Sequence, residues 1–358
     1  MASTSDHIVP WLADCDWSGE SKGAASIIVT DYVNDLIVED WPELDRPVMI
    51  IGLAGWMDGG HVSTGTVAYL RDRFVEEPDD EDERAWFARI DPMDFYIYHF
   101  PVSSIPMTVH LEEGRAIVQP VNPMEFAAVF RPYAEIEDGV IRDLEYPENL
   151  FWAAQRPEGE RDLVLFSGEE PHIRWGNYLD CIYEVAEQLE IEEIYFVGSV
   201  ASPIPHTRQP RVRVSMADES LKEGMTEAGL LFGQYEGPAS IITSMTYHSV
   251  EMNIAMRSLV VEIPHYPFLE MPTYPRSILT VASALDELLD LQLDLSDLQA
   301  SAVAADRKLN DLMEDNEEFA ELVQRLEEAY EYEETPRDEE LLRRLIDSID
   351  LEGGADQH

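Results

Sequence analysis

Between Pro47 and Gly52 the chain carries four consecutive apolar residues, Val48-Met49-Ile50-Ile51, with nothing polar to turn toward water. A strand of this kind is buried on both faces, so the sheet containing it must be covered by helices on either side. Glycines, a tryptophan and an aspartate follow, Gly52-Leu53-Ala54-Gly55-Trp56-Met57-Asp58-Gly59-Gly60. From His61 to Phe74, Val62, Thr66, Tyr69, Leu70 and Phe74 recur near helical spacing. Strand, glycine-rich turn and helix make the first half of a βαβ unit. Gly59 and Gly60 allow close backbone approach at the helix start, where free N–H groups suit an anion or a polar ligand edge. The glycine spacing is not that of the dinucleotide fingerprint, and no Gly-Lys-Ser/Thr makes it a P-loop. A turn that only packs a helix on a sheet fits these residues equally well.

With 358 residues the chain has room for one large core and a smaller appended unit. Its formal net charge of −49 sets it against polyanions, because the summed field repels nucleic acid and anionic membranes. Solubility, or an acidic host proteome, accounts for such a charge more simply than a dedicated basic partner. Cys15 and Cys181 are the only cysteines, too few for a disulfide framework or a zinc site. Asp58 and His61 alone make no metal site, so neither metal nor cofactor is expected. No apolar stretch reaches transmembrane length, and residues 1–24 lack the basic start and apolar segment of a signal peptide. The expectation is a cytoplasmic protein.

Along the chain, residues 1–24 read as a flexible N-terminus, 25–275 as an α/β sheet domain and 276–358 as an acidic helical domain. Short strands are expected at 26–29 and 36–38, and a solvated acidic loop at 76–83. Trp86–Ile90 and Phe95–Tyr98 alternate as strands do. Glu112-Glu113-Gly114 marks a hairpin between 107–111 and 115–118, an antiparallel insert that gives the sheet a mixed character. Leu163–Phe166, Ile194–Val197 (ending at Gly198) and Leu259–Ile263 are further strands. A helix carries Leu179, Ile182, Val185, Ala186 and Leu189 on one face. Tyr235-Glu236-Gly237-Pro238 opens another helix, with Gly at N-cap and Pro at N1. Beyond Ser277 three apolar stripes follow: Leu298, Ala302, Ala305, Leu309 and Leu312; then Phe319, Leu322 and Leu326; then Leu341, Leu342, Leu345 and Ile349.

Four strands end alike, each opening into a loop dense in Gly, Pro, aromatic and ionisable residues. These are Trp56/Asp58, Glu169/His172/Arg174, His206/Arg208 and His265/Tyr266. In a parallel sheet such loops share the carboxyl edge, where open α/β folds bind ligands. Tyr235 and Glu236 reach the same edge if the strand before them runs parallel. The expected pocket thus draws on Trp56, Asp58, Glu169, Arg174, His206, Arg208, Tyr235, Glu236 and His265. Each residue alone also has a structural explanation: Arg174 can pair with Glu169 or Glu170, and a lone His206 can be a hydrogen-bonded scaffold residue. No nucleophile elbow is present.

These loops carry a specific resemblance. Gly55-Trp56-Met57-Asp58-Gly59-Gly60, Gly168-Glu169-Glu170-Pro171 with Arg174-Trp175, Pro205-His206-Thr207-Arg208, Tyr235-Glu236-Gly237-Pro238 and Pro264-His265-Tyr266 occur in this order. The chain resembles the actinobacterial branch of the proteasome assembly chaperone two-like family over roughly residues 25–350. The resemblance implies a three-layer α/β/α core with a mostly parallel, mixed sheet similar to purine nucleoside phosphorylases and related hydrolases. It also implies self-association, often as trimers, and no established enzymatic activity. Some relatives help assemble proteasome subunits, and some of these end in a hydrophobic-tyrosine-any tail, from which Asp356-Gln357-His358 departs. Two functions follow as expectations. One is a protein-binding or assembly factor, its protein partner not specified by the sequence. The other is a phosphorylase- or hydrolase-type enzyme acting on a nucleoside-like or amide-like molecule. In it Asp58, Glu169 or Glu236 would be the acid/base, Arg174 or Arg208 would balance charge, and His206 would shuttle protons. Ligand sensing without turnover is a third. Self-association would bury loop aromatics such as Trp152, Tyr178, Phe268 and Tyr274 between subunits.

Overall fold

The computed structural model describes residues 35–76, 84–97, 107–112, 115–120, 132–266 and 273–333. In chain order the strands are β1 (Leu36–Val38), β2 (Val48–Ala54), β3 (Trp86–Ile90), β4 (Met107–Glu112), β5 (Arg115–Pro120), β6 (Tyr133–Glu137), β7 (Val140–Glu145), β8 (Leu150–Ala154), β9 (Leu163–Glu169), β10 (Glu193–Ser202), β11 (Val212–Ser215), β12 (Leu231–Phe232) and β13 (Ala255–Pro264). The helices are α1 (Val62–Phe74), α2 (Trp175–Gln188), α3 (Lys222–Glu227), α4 (Ile241–His248), α5 (Pro275–Leu289), α6 (Ser296–Asp315) and α7 (Glu317–Glu333).

Nine strands form one mixed sheet in the order β1-β3-β8-β9-β2-β10-β13-β11-β12. Its four central strands, β9, β2, β10 and β13, run parallel. Antiparallel β8, β3 and β1 extend one side, and β11, antiparallel to β13, extends the other. Helices cover both faces, as the apolar run of β2 requires: Val48 to Leu53 is buried throughout. Met49 and Ile51 pack with Leu179, Ile182 and Val185 of α2 and with Ile241 and Met245 of α4. Val48 and Ile50 face Val62, Val67 and Leu70 of α1 and Ile278, Val281 and Leu285 of α5. The alternation of a strand has sorted its residues into two cores.

Helix α6 continues from α5 and sends Leu298 into the second core. Farther along, its Leu309 joins Phe319, Val323 and Leu326 of α7 and Tyr266 in a third, smaller cluster. The two apolar stripes expected there are therefore the buried faces, except that Leu312 is exposed. The stripe at 341–349, the strand at 26–29 and most of the acidic loop lie outside the described residues. Among the described residues no helix is long and apolar enough to cross a membrane.

The structure corrects several local expectations. The hairpin β4–β5 is a separate two-stranded sheet, so the mixed character of the main sheet comes from its flanks and not from that insert. Phe95 and Tyr96 are not in a strand: the Asp91 carboxylate accepts from the Met93 amide at 3.0 Å, closing a short turn that sinks both rings into the core. Strand β10 runs past Gly198 to Ser202. The helix expected from Gly237-Pro238 begins at Ile241, where the Ser240 side chain caps it by accepting the Thr243 amide; ahead of it the Tyr235 hydroxyl donates to the Pro238 carbonyl at 2.8 Å. Trp152, Tyr178 and Tyr274 are buried within a single chain, so these three are not available to a subunit contact; Phe268 lies outside the described residues.

Phe319 is fully buried against Tyr266 at a ring separation of 4.8 Å. Phe319→Ala should cost about 3–5 kcal/mol of local stability. Hydrogen exchange is then expected to accelerate across α6 and α7 while the β2–β10 amides keep their protection; uniform acceleration would show one indivisible unit.

Candidate functional site

The carboxyl ends of β2, β9, β10 and β13 lie on one edge, so the four loops singled out in the sequence share it. The first is shaped by close backbone approach. A Cβ on Gly52 would sit 2.6 Å from the Ser63 carbonyl, so the first turn of α1 rests on β2 with no room for a side chain between them. The Ser63 hydroxyl accepts from the Leu53 amide at 3.0 Å and donates to the Val197 carbonyl, joining α1 to β2 and β10. Gly60 has φ +60, and a Cβ there would strike the Tyr274 ring at 2.3 Å. The Asp58 carboxylate accepts from the amides of Ser63 (2.8 Å) and Thr64 (3.2 Å) and from the Thr64 hydroxyl (2.8 Å). It caps α1. Burial raises its pKa while the Thr64 bonds pull it back. Trp56, two residues earlier, is 67% exposed.

In the β9 loop the half-buried Glu169 carboxyl is raised in pKa by burial. Its backbone is fixed by Asn149, whose side-chain oxygen accepts the Glu169 amide at 3.0 Å, and by the Tyr96 hydroxyl donating to its carbonyl at 2.7 Å. The neighbouring Glu170, absent from the residues expected at the pocket, is the organiser of this loop. Its carboxylate accepts from the Trp56 amide at 3.1 Å and from the Ile241 amide at 3.0 Å, tying the β2 loop to the start of α4. Position was the available signal: Glu169 ends the strand and Glu170 is the first residue free to reach sideways. Arg174 does not pair with Glu169 or Glu170. Its guanidinium holds Asp94 at 2.6 Å and Asp35 at 3.2 Å and lies over the Phe95 ring.

At the β10 and β13 loops the residues dock helices. The Tyr266 hydroxyl accepts the His206 amide at 2.8 Å and lies 2.7 Å from Nδ1. Asn310 Oδ1 on α6, 3.2 Å from Nε2, can only accept, so in the neutral imidazole Nε2 carries the proton and Nδ1 accepts from the Tyr266 hydroxyl. The imidazole also stacks on Phe319 of α7. Arg208 pairs with Glu327 at 2.8 Å and Glu331 at 2.7 Å, both on α7. The cavity beside His206, Arg208 and Arg276 is about 10 Å³, room for a single water. His265 and Glu236 are exposed, and Tyr235 is 74% exposed with its hydroxyl turned back on Pro238.

The structure places seven of the nine candidates on one edge and divides the set by use; β12, the strand before Tyr235 and Glu236, runs against the central strands, so the parallel strand that would have brought those two to this edge is not there. Asp58, Arg174, His206 and Arg208 hold elements together. Trp56, Tyr235, Glu236 and His265 face outward, and Glu169 stands half-buried between the two groups. Met93, Ile97, Ile173 and Val200 are exposed on the same edge. The exposed hairpin β6–β7 also springs from it, because Leu150, which opens β8, pairs with Ser167 near the end of β9. With Trp56, Met93, Ile97, Ile173 and Val200 make five exposed large apolar side chains at this edge. Among those residues no group of three or more His, Cys, Asp or Glu is placed to hold a metal ion.

Burial lowers the His206 pKa, with the Asn310 bond and the Glu327 charge opposing and the Arg276 charge adding to it. The folded chain therefore holds this proton less well than the unfolded chain, whose histidine titrates near pH 6.5. Stability from neutral His206 is complete above about pH 6.5 and is lost as pH falls through the lower folded-state value. Between about pH 7.5 and 5.5 the melting temperature should fall more in the wild type than in His206→Gln, which keeps a polar side chain that cannot titrate. Equal slopes in calorimetry would remove His206 from the acid sensitivity.

A profile of the PAC2 family matches residues 52–313. Among solved structures, a PAC2 family protein from Streptomyces avermitilis is 25% identical with a TM-score of 0.59, covering 77% of this chain and 99% of its own. A proteasome-assembly chaperone homologue from Mycobacterium tuberculosis is 24% identical, with a TM-score of 0.59 and coverages of 77% and 99%. An archaeal proteasome activator from Pyrococcus furiosus is 17% identical, with a TM-score of 0.51 and coverages of 77% and 97%. The last two are likenesses of fold. A search of curated proteins returns no match.

Proposed function

We propose, from the premise that this chain belongs to the PAC2 family, that it is a self-associating protein-binding factor of the assembly-chaperone kind whose docking surface is the carboxyl edge of the sheet. The observation that carries this reading is the division of labour at that edge. Asp58, Arg174, His206 and Arg208 are engaged in capping and docking, whereas Trp56, whose amide is held by Glu170, and Tyr235, in the segment leading to the Ile241 amide that Glu170 also holds, stand in solvent. Exposed aromatics on loops held by a rigid sheet are the usual anchors of protein recognition. The names of the Mycobacterium and Pyrococcus neighbours make proteasome subunits the first partners to test.

An anchor aromatic is worth about 2 kcal/mol or more at an interface. Crosslinked capture with purified proteasome α-subunits should therefore recover partner with the wild type and about tenfold less or lower with Trp56→Ala/Tyr235→Ala. Equal recovery would place docking elsewhere, and none with either protein would remove proteasome subunits as the partner class.

The second reading, a phosphorylase- or hydrolase-type enzyme, is supported by Glu169, whose raised pKa suits an acid. Arg174 and Arg208, which would have to balance an anionic intermediate, already hold two carboxylates each.

A further inference from the structure

Helix α7 lies across the loop that follows β10 and is held there by two sets of contacts. Phe319, Val323 and Leu326 of α7 close a small cluster with Leu309 of α6 and Tyr266, and this cluster is separate from the two cores of the sheet. Toward the end of the helix the contacts are polar. The Glu327 carboxylate accepts from the Thr207 hydroxyl and from Arg208 at 2.8 Å, and Glu331 accepts from Arg208 at 2.7 Å. The Tyr330 hydroxyl donates to the Gln209 carbonyl at 2.9 Å, while its ring lies under the Arg211 guanidinium at 3.8 Å. Among the described residues, the carboxylates paired with Arg208 all come from α7. The helix itself carries seven glutamates against one arginine. Like charges one turn apart repel, so α7 takes its helical stability from the groove it lies in more than from its own sequence. One non-helical residue, Asn316, joins it to α6, with φ −137 and ψ 103.

We propose that α7 is an autoinhibitory strap, occupying in cis a groove at the carboxyl edge that takes an acidic amphipathic helix of a partner protein. This rests on the protein-binding reading above and names the chemistry of the partner. Charge complementarity selects the occupant. In a chain of 73 acids and 24 basic residues, the groove presents the Arg208 and Arg211 guanidinium groups and the Thr207 hydroxyl. Beside them lies an apolar floor of Tyr266, Leu309 and the face of the His206 ring. A segment that fits has aromatic or aliphatic residues at i, i+4, i+7 and i+11 and carboxylates at i+8 and i+12. That is the pattern of Phe319, Val323, Leu326 and Tyr330 with Glu327 and Glu331, and helix-in-groove recognition reads such anchors along one face. Two features make the strap displaceable. Its apolar cluster is packed into neither core of the sheet, so lifting it leaves both intact. Rotation at Asn316 swings the helix away as a body, as a hinge absorbs a change at a few backbone torsions. The joint also keeps α7 near the groove at an effective concentration of about millimolar, so a partner's apparent affinity is reduced by the fraction of chains whose groove is open.

The probe is a fluorescein-labelled peptide of residues 316–333, read by anisotropy against the full chain. In the chain, Glu327→Lys/Glu331→Lys opposes like charges at Arg208 and alters only α7, so the groove is left as it is. This variant should bind the peptide at least about tenfold more tightly than the wild type, as removal of a cis competitor requires. Its α7 amides should lose protection in hydrogen exchange while those of β2 and β10 keep theirs. Val323→Asp, which opens the strap from its apolar side, should give the same gain. A peptide carrying Glu327→Lys/Glu331→Lys should bind none of these chains. A second peptide of unrelated sequence but the same spacing of anchors and carboxylates should bind as the first does. Binding confined to the chain's own sequence would make a second copy the occupant and overturn the partner assignment. No binding to either opened variant at about 100 µM, a concentration that reveals weak complexes, would overturn the groove. Equal binding to wild type and variants, or an α7 still protected after charge reversal, would overturn the strap. The peptide measurements involve no proteasome subunit, so they stand or fall apart from capture at Trp56 and Tyr235.

Discussion

The first turn of α1 lies on β2 with no side chain between them, and the rest of the molecule takes its geometry from that contact. It needs Gly52, because a Cβ would meet the Ser63 carbonyl. It also needs Ser63, which satisfies a backbone donor of β2 and a backbone acceptor of β10 at once. A buried hydroxyl with both roles filled is stabilising, whereas an apolar residue there would leave an amide and a carbonyl unpaired at about 1–3 kcal/mol each. The same turn positions the C-terminal helices. The Gly60 carbonyl accepts the Tyr274 amide, so α5 starts against α1, and α6 and α7 are hung from α5.

A chain with 73 acids and 24 basic residues must also place its few cations where they hold most. Several stand at seams between elements. Arg73 on α1 pairs with Asp297 on α6, Arg276 on α5 with Asp306 on α6, and Arg208 with two glutamates of α7. Singly, such solvent-screened pairs contribute little. Their common effect is to counter like-charge repulsion along the helical end, where the acids are densest. These guanidinium groups are thereby already engaged by carboxylates.

The central architecture was legible because burial on both faces leaves a plain trace. Val48–Ile51, Leu163–Phe166 and Ile194–Val197 are apolar without alternation, and each is a parallel strand flanked by helices. The flanks were less legible. Leu150-Phe151-Trp152-Ala153-Ala154 is equally apolar and equally a strand, yet no glycine or proline follows it directly to mark its end. The β6–β7 hairpin was missed although Asp138-Gly139 sits at its turn, because its bulge breaks the alternation by which a strand is recognised. At the edge, the loops could be located from sequence, but not the use of each side chain. Glu169 and Glu170 are adjacent and chemically alike. Which one would catch the Trp56 and Ile241 amides depends on where β9 stops, and that is decided by the Asn149 and Tyr96 contacts from distant parts of the chain.

Four of the ionisable residues at these loops, Asp58, Arg174, His206 and Arg208, have roles in folding. Parallel strands leave their crossover loops and helix starts on one edge, and backbone donors there must be met by side chains. Asp58 and Glu170 meet them; His206 and Arg208 fasten the helices that cover the edge. Folding does not explain Trp56. It follows Gly55, which has φ +120, and only its backbone is used, its amide donating to Glu170 while the ring stands in water. Any residue could supply that amide, and a smaller or more polar one would do so without exposing a large apolar ring. On the reading proposed above, the exposed ring, carried on a backbone hydrogen-bonded at both neighbours, is the part of this edge offered to a partner.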